Sequence, residues 1–303
     1  MKFEGIIVPV ITPFGKDFCV DEIAWAAMLE HTMAQGVDAI VIGGTTGENY
    51  ALTAAERLRQ FAYGQEVIAD RVPWIAGVND IRTEDVCAYA TAARANGASA
   101  LLLGVPPYAV PTDAEMAQHV AEVDQAAGLP IMLYNYPGRS GTDFGTEFLR
   151  LVGDRPNIMS IKESSGDLER IHLLAREFPG IQLSCGADHQ ALEFFVWGAT
   201  SWVCAGANFM APTCRRLYEV CVVEKDFAKG RRIMEAMMPL MVLLEQGGKF
   251  VQCVKHACRL DGLPAGETVR RPLRPLDEEL GEKTGAAVRS LRVAIAALDA
   301  SGS

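Results

Sequence analysis

The chain has 303 residues, half of them hydrophobic, enough to bury a sizeable core in one large domain or two ordinary ones. A formal net charge of −10 and a sequence pI near 5.1 oppose a broad nucleic-acid surface, because phosphate binding relies on clustered Lys and Arg. The basic cluster Arg270, Arg271 and Arg274 is interrupted by prolines and reads as a solvated turn, and the eight cysteines contain no C-x-x-C pair, which opposes a disulfide framework or a zinc site.

From the N-terminus, residues 1–14 form an apolar stretch broken by Pro9 and Pro13, without the basic start and cleavage region of a secretory signal. No segment approaches the ~20 uninterrupted apolar residues of a membrane span, so a soluble, cytoplasmic protein with buried thiols is expected. Eight short runs rich in Val, Ile and Leu follow one another at 6–11, 39–42, 74–78, 100–103, 131–134, 158–162, 181–185 and 202–205. Their near-continuous hydrophobicity is that of parallel strands buried on both faces. The stretches between them read as helices. Trp25, Met28, Leu29 and Met33 share a face after an Asp21 cap, and Thr53-Ala-Ala-Glu56 and Thr112-Asp-Ala-Glu115 read as capping boxes. Gly36, Gly97, Gly128, Gly180 and Gly198 each stand just before the next strand, where a left-handed residue closes the helix.

Helix, glycine and strand in repetition are the trace of successive βα units, and eight of them predict a (β/α)8 TIM barrel rather than an open doubly wound sheet. No Gly-x-Gly-x-x-Gly follows the first strand, which opposes a dinucleotide fold. After about residue 224 the strand signal stops, and 227–244 and 281–298 read as helices. The predicted organisation is a barrel with the active site over 1–223 and a C-terminal helical subdomain packed on it over 224–303.

Active sites of such barrels lie at the C-terminal ends of the strands. Lys162 ends the sixth strand and is the only lysine between Lys16 and Lys225. Alternation puts Ile158, Ser160 and Lys162 on one face and Met159, Ile161 and Glu163 on the other, so the lysine is expected to point into the barrel. Burial favours a neutral amine that attacks a ketone, although a structural lysine paired with a carboxylate fits this position equally well. Tyr134, on the adjacent strand, is a candidate proton shuttle or a core tyrosine with a satisfied hydroxyl. Residues 43–47 offer backbone amides and two hydroxyls to a small carboxylate, or form only a turn. Arg139 is a candidate carboxylate clamp or an exposed loop arginine. The five histidines include no pair at i, i+4, and only His189 lies at a strand end, so neither a metal nor another cofactor is expected.

With these residues assembled, the chain resembles the dihydrodipicolinate synthase / N-acetylneuraminate lyase family of class I pyruvate-dependent aldolases over nearly its whole length. Gly43-Gly-Thr-Thr-Gly-Glu48, Tyr134-Asn-Tyr-Pro-Gly-Arg-Ser-Gly141 and Ile161-Lys-Glu-Ser-Ser-Gly-Asp167 occur in the family's order. The resemblance implies that Lys162 forms an iminium with pyruvate or another 2-oxo acid and that Tyr134 transfers protons. It implies that Thr46 and Tyr108 complete a proton relay, with Tyr108 supplied by the neighbouring subunit of a tight dimer within a homotetramer. Thr45 and Thr46 match the segment that binds the pyruvate carboxylate, the Gly186 carbonyl lines the site, and Val203 is a further substrate-binding position. Arg139 matches the arginine that holds the carboxylate of aspartate semialdehyde, which favours condensation of pyruvate with that aldehyde to 4-hydroxy-tetrahydrodipicolinate.

Departures point the other way. The fourth-strand loop reads Pro107-Tyr108-Ala109-Val110, without the usual aromatic pair and its polar neighbours, and the feedback lysine-binding residues are replaced near Ala54, Arg57 and Ile81. No lysine inhibition of that type is expected. An aldolase or dehydratase for a 2-oxo-3-deoxy sugar acid, 4-hydroxy-2-oxoglutarate or an N-acetylneuraminate-like substrate is the alternative, and a non-catalytic 2-oxo-acid sensor the reading from another class.

Overall fold

A computed structural model describes residues 2–301. Eight parallel strands pair in chain order and close on themselves: β1 (Gly5–Pro9), β2 (Ala39–Ile42), β3 (Trp74–Gly77), β4 (Ala100–Gly104), β5 (Ile131–Asn135), β6 (Ile158–Glu163), β7 (Gln182–Cys185) and β8 (Ser201–Val203). Around them run α1 (Glu22–Ala34), α2 (Ala54–Ile68), α3 (Thr83–Ala95), α4 (Asp113–Ala127), the single turn α5 (Pro137–Ser140), α6 (Thr146–Val152), α7 (Leu168–Glu177), α8 (Ala191–Val196) and α9 (Ala207–Tyr218). Three further helices, α10 (Phe227–Gln246), α11 (Phe250–Leu260) and α12 (Glu278–Ser301), follow the barrel. The (β/α)8 barrel with a C-terminal helical addition is therefore the fold. No helix among the described residues is long and apolar enough to cross a membrane.

The alternation of each strand divides the core into two layers. Ile7, Val41, Ile75, Leu102 and Met132 fill the barrel interior above Phe3, while residues such as Val8, Ile40, Ile42, Leu101, Leu103 and Ile161 face the helices. Each such aliphatic side chain removed from water contributes about 1.5–3 kcal/mol, so both layers hold the barrel closed. The capping boxes form as expected: Thr53 Oγ1 accepts from the Glu56 N–H at 3.3 Å and the Thr53 N–H donates to Glu56 Oε2 at 2.8 Å, with the same arrangement between Thr112 and Glu115. Asp21 caps α1 through the Ala24 N–H at 2.9 Å.

Two local readings are corrected. Gly36, Gly97, Gly128 and Gly198 take φ of +70°, +85°, +59° and +89°, whereas Gly180 lies outside that region: α7 ends instead at Phe178, whose N–H donates to the Leu174 carbonyl, and Pro179 follows it. In β6 the pairing of Ile131 with Ile158 and of Met132 with Ser160 leaves Met159 as an extra residue in a bulge. Ile158 consequently packs in the outer layer and Met159 against the inner one, so strict alternation from Ile158 fails. Downstream of the bulge the phase recovers, and Lys162 faces the interior.

Candidate active site

The loop after β2 begins at Gly43, whose φ of +73° strains any other residue and where a Cβ would press against the Gly77 carbonyl at 3.1 Å. It continues into a tight turn, Thr45–Gly47, closed by the Gly47 N–H on the Gly44 carbonyl at 3.0 Å. The Thr12 hydroxyl donates to the Gly47 carbonyl at 2.7 Å and ties this turn to the chain leaving β1. Glu48 then adopts a left-handed conformation, φ +56°, with its carboxylate fully buried against the Lys255 ammonium of α11. The Arg270 N–H donates to the second Glu48 oxygen at 3.1 Å, and Lys255 also donates to the Thr268 carbonyl at 2.8 Å. The C-terminal helices thus hold the threonine loop in place.

The upper end of the barrel is built by β5 and β6. Tyr134 and Lys162 are register partners on these strands, and Lys162 Nζ lies 4.1 Å from the centroid of the Tyr134 ring. Both side chains are over nine-tenths buried. The next pair, Asn135 and Glu163, points outward. Asn135 Nδ2 donates to Glu163 Oε2 at 2.8 Å, the Ser165 N–H donates to Glu163 Oε1 at 2.7 Å, and the Phe144 N–H donates to Asn135 Oδ1 at 2.9 Å. Arg170 closes this cluster on Glu163 at 3.3 Å. Glu163 and Asn135 therefore fix the two strand ends and leave Tyr134 and Lys162 free to face the cavity.

Thr45, Thr46, Tyr134, Arg139, Lys162, Gly186 and Val203 border one small cavity of about 30 Å³. It shares Thr45, Tyr134, Tyr136, Arg139 and Phe250 with a larger cavity of about 690 Å³ that opens outward. The Arg139 guanidinium stands 5.1 Å from the Tyr136 ring centroid; burial works against its charge, but the Tyr134 and Tyr136 hydroxyls outweigh this and raise its pKa. The Gly186 carbonyl accepts the Ser164 hydroxyl at 2.8 Å. A Cβ on Gly186 would stand 2.1 Å from Ser164 Oγ and 2.7 Å from Lys162 Cγ, so glycine is what lets β7 approach the lysine stem.

Tyr108 is the exception among the expected site residues. It follows β4 with φ +70° and is 93 % exposed, away from this cavity within the single chain. Conversely, six lining residues were not among the expected site residues: Pro9, Tyr136, Asp188, Ala205, Glu245 and Phe250. Asp188 stands at a strand end, where a site residue is expected. Glu245 left a fainter signal: it extends the buried Met237 and Met241 row of α10 by one more step of four residues.

The model of the dihydrodipicolinate synthetase family matches residues 2–291. The chain belongs to that family. It is 35 % identical over 293 residues to 4-hydroxy-tetrahydrodipicolinate synthase of Thiobacillus denitrificans, covering 94 % of this chain and 96 % of the relative. With the enzyme of that name from Bacillus subtilis the identity is 31 % over 286 residues, covering 92 % and 96 %. Among solved structures of the family, the 4-hydroxy-tetrahydrodipicolinate synthase of Methylacidiphilum fumariolicum superposes with a TM-score of 0.91 at 27 % identity, covering 98 % of this chain and 99 % of that one. The chloride-inhibited dihydrodipicolinate synthase of Acinetobacter baumannii, complexed with pyruvate, gives a TM-score of 0.89 at 30 % identity, covering 96 % and 99 %.

Proposed function

We propose that this dihydrodipicolinate synthetase family member is a Schiff-base lyase that condenses pyruvate with an aldehyde, aspartate semialdehyde being the partner best matched, to give 4-hydroxy-tetrahydrodipicolinate. The observation that carries the reading is the buried Lys162 amine against the Tyr134 ring at the C-terminal end of the barrel. Lys162 attacks the ketone carbon of pyruvate and the carbonyl oxygen leaves as water. The iminium withdraws electrons from the methyl group, which loses a proton to give an enamine, and the enamine carbon attacks the aldehyde, which restores the iminium. The amino group of aspartate semialdehyde then adds to the iminium carbon and displaces the Lys162 amine, closing the ring. Tyr134 relays protons during iminium formation and collapse, with Thr46 beside it. Thr45 and Thr46 receive the pyruvate carboxylate, while Gly186 and Val203 shape the pyruvate pocket. Arg139 presents its planar fork toward the larger cavity, suited to a second carboxylate.

Tyr108 enters the relay in this reading as a residue donated to the neighbouring copy of a dimer, within a tetramer, which accords with its nearly complete exposure in one chain. A soluble, cytoplasmic setting is part of the same reading. Consumption of pyruvate in the presence of aspartate semialdehyde is the direct test. The contrary outcome is no such consumption together with pyruvate release, coupled to lactate dehydrogenase, from 4-hydroxy-2-oxoglutarate or 2-oxo-3-deoxy sugar acids.

A further inference from the structure

Two carboxyl groups stand at the site without a part in the reaction just outlined. Asp188 follows β7 and is buried; Trp202 Nε1 donates to its Oδ1 at 2.8 Å and the Gly206 N–H to its Oδ2 at 3.3 Å. The Asp188 N–H in turn donates to Glu245 Oε1 at 3.2 Å, which pins the last turn of α10 to the end of β7. Glu245 borders the same small cavity as Lys162 and Arg139, and the charges of both reach it. Burial and the charge of Glu245 push Asp188 up to about 7, and burial raises Glu245 in spite of the Asp188 N–H, Lys162 and Arg139. Burial therefore disfavours the charged form of each carboxyl.

We propose that Glu245 is a catalytic acid–base residue that protonates the aldehyde oxygen during carbon–carbon bond formation. The proposal rests on Lys162 as the Schiff-base nucleophile. The enamine carbon forms a bond to the aldehyde carbon, the C=N double bond of the iminium is restored, and the aldehyde π electrons pass to oxygen. That oxygen takes the proton of the Glu245 carboxyl, leaving a 4-hydroxyl group and a carboxylate that is reprotonated from water. In the cleavage direction the carboxylate removes the hydroxyl proton as the bond breaks.

Tyr134 lies over Lys162 Nζ and borders both cavities with Arg139, whereas Glu245 borders only the small one, beside the nucleophile, where the enamine carbon meets the aldehyde in this proposal. Glu245 borders the small cavity together with Lys162 and Arg139. Burial, which disfavours its charged form, also lessens repulsion of a substrate carboxylate held on Arg139.

Glu245→Gln keeps the shape and the acceptor for the Asp188 N–H but cannot transfer the proton. Exchange of the pyruvate methyl protons in D2O, followed by NMR, needs only the iminium and enamine. Consumption of an aldehyde from a set of aspartate semialdehyde, glyoxylate and glycolaldehyde needs the second step. In Glu245→Gln, exchange is expected to stay within about threefold of wild type while kcat for the aldehyde reaction falls about a hundredfold, with partial recovery in Glu245→Asp. Undiminished aldehyde turnover in Glu245→Gln overturns the proposal alone, and so does a parallel loss of exchange and turnover, which marks a structural role. No exchange in the wild type overturns Lys162 as the nucleophile and the proposal with it. Exchange without consumption of any of the three aldehydes overturns the condensation and the proposal together.

Discussion

Tyr134 and Lys162 face each other across the β5–β6 ladder as register partners, with the lysine amine 4.1 Å from the ring centroid. Neighbouring positions on parallel strands hold this spacing through the backbone, so it does not depend on a flexible loop. Loss of the hydroxyl in Tyr134→Phe leaves the ring and its packing intact. The expected result is a fall in kcat of about 10²–10⁴ with the pyruvate KM changed by less than about threefold. Equal losses in both constants would mark the tyrosine as a packing residue.

Gly186→Ala tests the fit between β7 and the nucleophile. The new methyl carbon would meet Ser164 Oγ at 2.1 Å, Lys162 Cγ at 2.7 Å and the Glu163 carbonyl at 2.8 Å, so the strand or the lysine must shift. Overpacking of this kind costs about 1–3 kcal/mol of stability. Activity is expected to fall by more than about tenfold, since small displacements of reacting groups are costly. Denaturant titration and steady-state kinetics on the one variant read both effects.

Much of this arrangement is legible in the sequence, and the reasons differ from element to element. Strands buried on both faces appear as unbroken Val, Ile and Leu runs, so all eight are visible; β5 and β6 run one residue further, to the polar tips Asn135 and Glu163, while β1 and β8 stop two residues short of the ends of their apolar runs. The bulge at Met159 was not visible, because an extra residue in an apolar run leaves no compositional mark. Helix α11 has no capping side chain at Lys249 and begins just after Gly247-Gly248, a context that reads as a turn. Glu245 and Phe250 reach the site only because α10 and α11 fold back over the barrel, a tertiary fact without local signature. Tyr108 stands exposed after β4, outside the cavity of the single chain, and no local pattern marks that.

The Glu48–Lys255 pair couples the threonine loop to the C-terminal helices in a fully buried setting. Removing one partner leaves an uncompensated buried charge. Lys255→Met is expected to cost about 3–5 kcal/mol, measured by urea denaturation, and the double variant Lys255→Met/Glu48→Gln to recover part of that loss. Additive costs in the double variant would show that the two groups act independently.

Glu56 responds to pH in a defined direction. The Arg270 guanidinium, together with the Thr53 hydrogen bonds, holds its carboxyl down at about 2, below the ordinary 4.5. A folded-state value below the unfolded one contributes stability that is fully present above the unfolded value and is lost as pH falls through the folded one. Glu56→Gln is therefore expected to lower stability by about 1–3 kcal/mol at pH 7. The deficit shrinks as the pH falls below about 4.5 toward 2, where the wild-type carboxyl also becomes neutral. Denaturant midpoints of both proteins across that range give the comparison, and a deficit unchanged at low pH would assign it to packing.

The central claim is the covalent role of Lys162, and borohydride reduction in the presence of pyruvate followed by peptide mass spectrometry tests it most directly. The expected result is a reduced pyruvyl adduct on the peptide carrying Lys162, absent from Lys162→Ala and unaffected by a chelator. An unmodified protein, or an adduct on another lysine, would contradict it.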